Sequence, residues 1–233
     1  MKTIVMTGGT AGLGKVAAEQ MARAPGTRLL LGARNSAAGS IETLPLDLAR
    51  LSGVRAFAKA VDERLGPATI DALVLNAGTQ FPNIDHVSED GFETTFAVNH
   101  LAHYLLVRLL LPKLTQGAIV VITASDTHDP AINPLAPPLH ADATQLAHPK
   151  TRTSRKERAF IAGFRAYSSS KLCNILTARA LAAEPGAKAG GLTVIAYNPG
   201  FTPGTALGRA WPCRSVQQSE WRHFCVRSCA STP

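Results

Sequence analysis

Hydrophobic positions along this chain fall into two alternating rhythms. Short runs rich in Val, Ile, Leu and Thr occupy 3–7, 28–33, 43–46, 72–76, 119–123 and 192–197, the length and β-branched content of buried strands. Between them, apolar residues recur at helical spacing over 14–23, 51–65, 91–114 and 164–183. Strand and helix alternating in this way predict βαβ units, hence an α/β, doubly wound architecture with a mostly parallel sheet of six strands. In the last helix Tyr167, Lys171 and Asn174 fall on one face by the i, i+4, i+7 rule. The stretch 129–158 holds five prolines and reads as an excursion loop, at about 129–160, rather than a domain boundary.

Composition narrows the picture. With 233 residues and 45% hydrophobic content, the chain can bury one α/β core without disulfide or metal support. A single domain is expected over 1–208, followed by a divergent tail over 209–233. No basic leader precedes an apolar stretch, and no run of about 18 apolar residues would span a bilayer. A soluble cytoplasmic protein without a membrane span is therefore expected. The net charge of +8 is carried by residues after 138, outside the half that the chemistry below assigns to a nucleotide. Lys150, Arg152, Arg155, Lys156 and Arg158 are clustered but not interleaved with aromatics, so they read as a solvated loop and no nucleic-acid partner is expected.

The chemistry begins at Thr7-Gly8-Gly9-Thr10-Ala11-Gly12-Leu13-Gly14. This glycine-rich turn joins a β-branched strand to a helix. Gly8 permits a tight turn, Gly12 admits a phosphate close to the backbone, and Gly14 lets the helix pack near the strand. The exposed amides of the helix N-terminus then favour an anion, so a dinucleotide-binding Rossmann domain is expected. At the end of the second strand Arg34, Asn35 and Ser36 stand where a carboxylate would hydrogen-bond a ribose 2′-hydroxyl. A guanidinium there suits a 2′-phosphate, so NADP(H) is the expected cofactor. Far downstream, Tyr167-Ser168-Ser169-Ser170-Lys171 sets a phenol and an ammonium one helical turn apart. A free phenol, with pKa about 10, exchanges its proton poorly at neutral pH, and a nearby cation would lower that value.

With Tyr167-x-x-x-Lys171 added to the G-x-x-x-G-x-G turn, the chain resembles the short-chain dehydrogenase/reductase family from residue 2 to about 208. Asp47-Leu48, Asn76-Ala77-Gly78, Asn99 and Asn198-Pro199-Gly200 follow in family order. Asp90-Gly91-Phe92-Glu93 and Ser170-Lys171-Leu172-Cys173-Asn174 are most similar to the retinol dehydrogenase and protochlorophyllide reductase branch. The resemblance implies catalytic roles for Asn99, Ser125, Tyr167 and Lys171. Ser125 would polarise the substrate carbonyl, although the strand register also brings Thr123 or Ala124 near that place. Lys171 would also hold the nicotinamide ribose, and Asn99 would keep a helix bulged around a water relaying protons from Lys171. Cofactor contacts are implied for Gly8, Thr10, Ala11, Gly12, Leu13, Gly14, Arg34, Asn35, Asp47, Leu48, Asn76, Ala77, Gly78, Tyr167, Lys171, Pro199 and Gly200. His100, His103 and His128 read as packing or loop residues rather than metal ligands.

The implied activity is hydride transfer between NADP(H) and a carbonyl, alcohol or conjugated double bond of an apolar small molecule, with a homodimer formed through the long helices. The end of the chain departs from the family pattern. From about Trp211 come both tryptophans and three of the four cysteines, with no strand or helix period. A seventh strand is expected to be missing, which would expose the edge of the sixth and leave as the alternative a nucleotide-binding relative with little or no activity. Cys213, His223, Cys225 and Cys229 lack the close pair of a zinc site, so no metal is expected.

Overall fold

The computed structural model describes residues 1–35, 41–149, 158–200, 202 and 207. Six strands, β1 (Lys2–Thr7), β2 (Thr27–Ala33), β3 (Glu42–Pro45), β4 (Ile70–Leu75), β5 (Leu114–Thr123) and β6 (Thr193–Tyr197), form one sheet in the order β3-β2-β1-β4-β5-β6. Every pairing is parallel. The chain winds outward from β1 in one direction to β3 and in the other to β6. The reversal between β1 and β4 opens a crevice at the carboxyl ends of the strands, where such sheets bind ligands.

Helices α1 (Gly12–Arg23), α2 (Leu51–Leu65), α3 (Thr94–Phe96), α4 (Ala102–Leu110), α5 (Ala143–Ala147), α6 (Ala159–Ala183) and α7 (Pro185–Ala189) supply the outer layers. The larger core packs Val54 and Phe57 of α2, Leu106 and Leu110 of α4, and Leu181 of α6 on Val5, Leu30, Leu73 and Val120 of the sheet. A smaller cluster on the opposite side joins Ala18 of α1 to Met6, Leu29 and Leu31. Two-sided burial explains why the central strands read as near-continuous apolar runs. β5 and β6 depart from that pattern: Ile119, Ile195 and Tyr197 are exposed, and β6 pairs only with β5 among the described residues.

Several element bounds differ from those expected. The predicted helix 91–114 starts instead at α3, because the buried Glu93 carboxylate caps it by accepting from the amides of Thr95 (2.8 Å) and Phe96 (2.7 Å). Its far end tightens at Leu111–Lys113, where Pro112 sits, and Leu114 already belongs to β5. Between α3 and α4 lies a π turn, Ala97–Leu101. Helix α6 begins five residues before the predicted Phe164. The excursion contains α5, which no apolar period announces. Asp142 caps it by accepting from Thr144 and Gln145 amides, and its Ala147 packs on Phe96 and Cys173. The tail from 208 onward and the basic cluster at 150–157 lie outside the described residues.

Candidate active site

The glycine-rich turn is shaped by two contacts that no side chain would survive. A Cβ on Gly14 would lie 2.0 Å from the Gly8 carbonyl oxygen, and one on Gly8 would lie 2.5 Å from the Ala77 backbone. The turn is thus pressed against the Asn76-Ala77-Gly78 segment that follows β4. Asn76 fastens the two by donating from Nδ2 to the Gly8 carbonyl (2.9 Å), while Thr7 Oγ1 accepts from the amides of Asn76 (3.1 Å) and Ala77 (3.2 Å). Gly12 opens α1 at φ 55°, and no side chain caps that N-terminus. Thr10, Ala11, Gly12 and Leu13 are exposed there. A cradle of bare amides with no competing carboxylate fits a dinucleotide pyrophosphate.

The other expected cofactor residues also lie beyond strand carboxyl ends. Arg34 and Asn35 follow β2 and are exposed. Asp47, after β3, accepts from the Ala49 amide (3.0 Å) and meets Arg50 at 3.5 Å, while Leu48 packs on the main core. Pro199 and Gly200 follow β6, where Gly200 has φ 70° and donates to Asn198 Oδ1 (3.0 Å).

At the β4–β5 side, α6 brings Tyr167 and Lys171 beneath the same edge. Lys171 is buried and donates from Nζ to the Thr123 carbonyl (3.0 Å), and it lies 5.5 Å from the centroid of the Tyr167 ring. Gly78 passes close to both Lys171 Nζ and Asn99 Oδ1. Ser125, two residues beyond β5, is close enough to Tyr167 to influence its phenol, while its Oγ donates to Asp126 Oδ1 (3.4 Å) and accepts from the Thr127 amide (3.3 Å) and hydroxyl (3.1 Å). The neighbouring positions are otherwise engaged: Thr123 Oγ1 donates to Asn76 Oδ1 (3.2 Å) and Ala124 is buried. Asn99 sits in the π turn. Its side chain accepts from the Thr79 amide (2.8 Å) and donates to the Thr79 carbonyl (2.9 Å) and to Ser170 Oγ (3.1 Å). A π turn of this kind marks an insertion into a helix and is frequent at functional sites.

Burial sets the titration of the pair. It pushes the Tyr167 phenol up to about 12, with the Asp126 carboxylate adding to the rise and Ser125 opposing it. It pulls the Lys171 ammonium down to about 8. Lys171, which donates to the Thr123 carbonyl, is not among the groups that offset the phenol's rise, so the expected lowering of the phenol by the lysine is not met.

The short chain dehydrogenase pattern matches residues 2–135, which carry β1 to β5, the glycine turn and Asn99. The chain belongs to the short-chain dehydrogenase family. Within the family it falls in the retinol dehydrogenase branch: it is 34% identical to human retinol dehydrogenase 13 over 225 residues, covering 89% of this chain and 61% of that protein. The chain spans 51 to 61% of the length of the first curated relatives it matches. Two solved members share the fold. The Thermococcus sibiricus alcohol dehydrogenase complexed with 5-hydroxy-NADP is 23% identical, with a TM-score of 0.59 over 86% of this chain and 76% of that one. The Brucella melitensis 3-ketoacyl-(acyl-carrier-protein) reductase complexed with NADH is 21% identical, with a TM-score of 0.63 over 90% and 79%.

Several further residues of this short-chain dehydrogenase brace the site. His103 bonds both Thr7 and Asn99, His100 meets Asn174 (3.1 Å), and His128 Nδ1 lies 2.6 Å from the Ser125 carbonyl oxygen. Asn133, buried in the excursion, has its Nδ2 within hydrogen-bond reach of the Thr127 and Ala136 carbonyls and of Ser168 Oγ, tying the excursion to α6 beside Tyr167. Nothing in their spacing announces these partners, which come from 35 or more residues away for Asn133–Ser168, His100–Asn174 and His103–Thr7.

Proposed function

We propose that this short-chain dehydrogenase is an NADP(H)-dependent oxidoreductase that transfers hydride between the nicotinamide and a carbonyl, alcohol or conjugated double bond of an apolar small molecule. The observation that carries the reading is the convergence of Tyr167, Lys171, Ser125 and Asn99 beside the glycine turn at the carboxyl edge of one parallel sheet. When bound, the cofactor supplies or accepts the hydride. Tyr167 then gives its phenolic proton to the substrate oxygen as charge develops there, or takes one in the opposite direction. Ser125 hydrogen-bonds the same oxygen and orients the carbonyl. Lys171, with its ammonium near Gly78, holds the nicotinamide ribose. Asn99 holds the π turn against Thr79 and so keeps the helix clear of that pocket.

Selectivity for NADP(H) over NAD(H) is assigned to Arg34, whose exposed position after β2 suits a 2′-phosphate. An apolar substrate is inferred from the retinol dehydrogenase branch. A homodimer through α4 and α6 is supported by the exposure of Tyr104 and Leu176 on those helices. The cofactor assignment is tested by fluorescence titration of the full chain with NADPH and with NADH. Saturable binding that prefers NADPH, and a preference erased in Arg34→Asp, is expected. Equal affinity for the two would overturn the role of Arg34.

A further inference from the structure

His103 is wholly enclosed, at 2% exposure, between β1 and the π turn. Its Nε2 lies 3.0 Å from Thr7 Oγ1 and its Nδ1 lies 3.1 Å from the Asn99 carbonyl oxygen. A hydroxyl has one proton to donate and two lone pairs to accept with. Thr7 Oγ1 already accepts from the amides of Asn76 and Ala77, so its proton is directed to His103. Nε2 is therefore the bare nitrogen and Nδ1 carries the hydrogen, which it donates to Asn99. The opposite tautomer would set two lone pairs against each other at Asn99, and the doubly protonated ring would set a proton against Thr7 with nothing free to receive it.

These bonds close a circuit. Thr7 holds Asn76 and Ala77, the chain runs through Gly78 to Thr79, Thr79 is clipped on both sides by Asn99, and Asn99 is held through its carbonyl by His103, which returns to Thr7. We propose that His103 is a positioning residue: as a neutral, Nδ1-protonated imidazole it locks the nucleotide-side turn at 76–78 and the π turn carrying Asn99 into one register. Three surroundings keep the ring neutral. They are its burial, the Lys171 ammonium and the neighbouring His100, which outweigh the opposing pull of the Asn99 carbonyl and hold His103 down to about 4.

This inference rests on the nucleotide-binding reading of the site, and the experiment separates the two. NADPH titrations are made on the wild type, His103→Leu, Thr7→Val, Thr7→Ser and the His103→Leu/Thr7→Val pair, each checked for folding by circular dichroism. His103→Leu is expected to raise the NADPH Kd about tenfold, the scale of one buried polar bond lost. Thr7→Ser, which keeps the hydroxyl, should bind as the wild type does. The double variant should bind no more weakly than the worse single one, because both break the same circuit. Additive losses, or an unchanged Kd in His103→Leu, overturn the positioning role, whereas a wild type that binds no NADPH overturns the nucleotide reading itself. Nitrogen-15 NMR of the histidine rings decides the tautomer without any variant. A neutral His103 protonated at Nδ1 supports the inference, and protonation at Nε2 or a charged ring at neutral pH contradicts it.

Discussion

Burial acts on Tyr167 and Lys171 in the same chemical direction, since each is moved toward its uncharged form. The lysine sits at about 8 in the fold against 10.5 for an ordinary side chain, so the folded state holds its proton less tightly than the unfolded chain. Stability from this group rises with pH between about 8 and 10.5 and is withheld below 8, where an ammonium is kept away from water. That charge costs about 3 kcal/mol from the same shift. Lys171→Met is expected to raise the melting temperature at neutral pH while lowering turnover more than a hundredfold, as measured by calorimetry and initial rates; a fall in both would contradict the functional cost assigned to the buried charge. His103 obeys the same sign lower on the scale. Its folded pKa of about 4 lies below the ordinary 6.5, so stability falls as pH drops through that window. Urea midpoints of the wild type should decline with acid more steeply than those of His103→Leu, and parallel curves would argue against a native ring that resists protonation.

At the scale of elements, the glycine turn and the α3 cap carry sharp expectations. Gly14→Ala places a methyl group 2.0 Å from the Gly8 carbonyl oxygen. It is expected to abolish saturable NADPH binding while the circular dichroism of the sheet persists; intact binding would mean the turn can open at no cost. Glu93→Ala removes the acceptor of two buried amides and should lower unfolding free energy by about 1–2 kcal/mol in urea. The strands and the glycine turn were legible in the sequence because each is set by neighbours along the chain, through β-branched runs and glycine spacing. The start of β5 was not, since Leu114-Thr115-Gln116-Gly117 has no alternation, and its pairing of Leu114 with Ile70 is fixed only across the sheet. Helix α5 depends on a cap at Asp142 and a docking place beside Phe96, and neither has a periodic signature. Tyr167, Lys171 and Asn99 could be placed by motif. The bonds that hold them, from Thr79, Thr123 and His103, join segments that only the fold brings together.

For the molecule as a whole, one parallel sheet gathers residues from β1, β2, β4, β5, β6 and α6 at a single edge, and among the described residues no helix is long and apolar enough to cross a membrane. Tyr104 and Leu176 leave an apolar face on α4 and α6. Size-exclusion chromatography with light scattering should find a dimer that Tyr104→Glu/Leu176→Glu converts to monomer, and a monomeric wild type would contradict that interface. Hydride transfer with Tyr167 as the proton donor unites these scales. Its most direct test follows loss of NADPH absorbance with an apolar aldehyde such as retinal, for the wild type and Tyr167→Phe, alongside NADPH binding to both. Turnover is expected in the wild type and none in Tyr167→Phe, with equal NADPH affinity in the two; turnover that persists without the phenol would rule out Tyr167 as the donor.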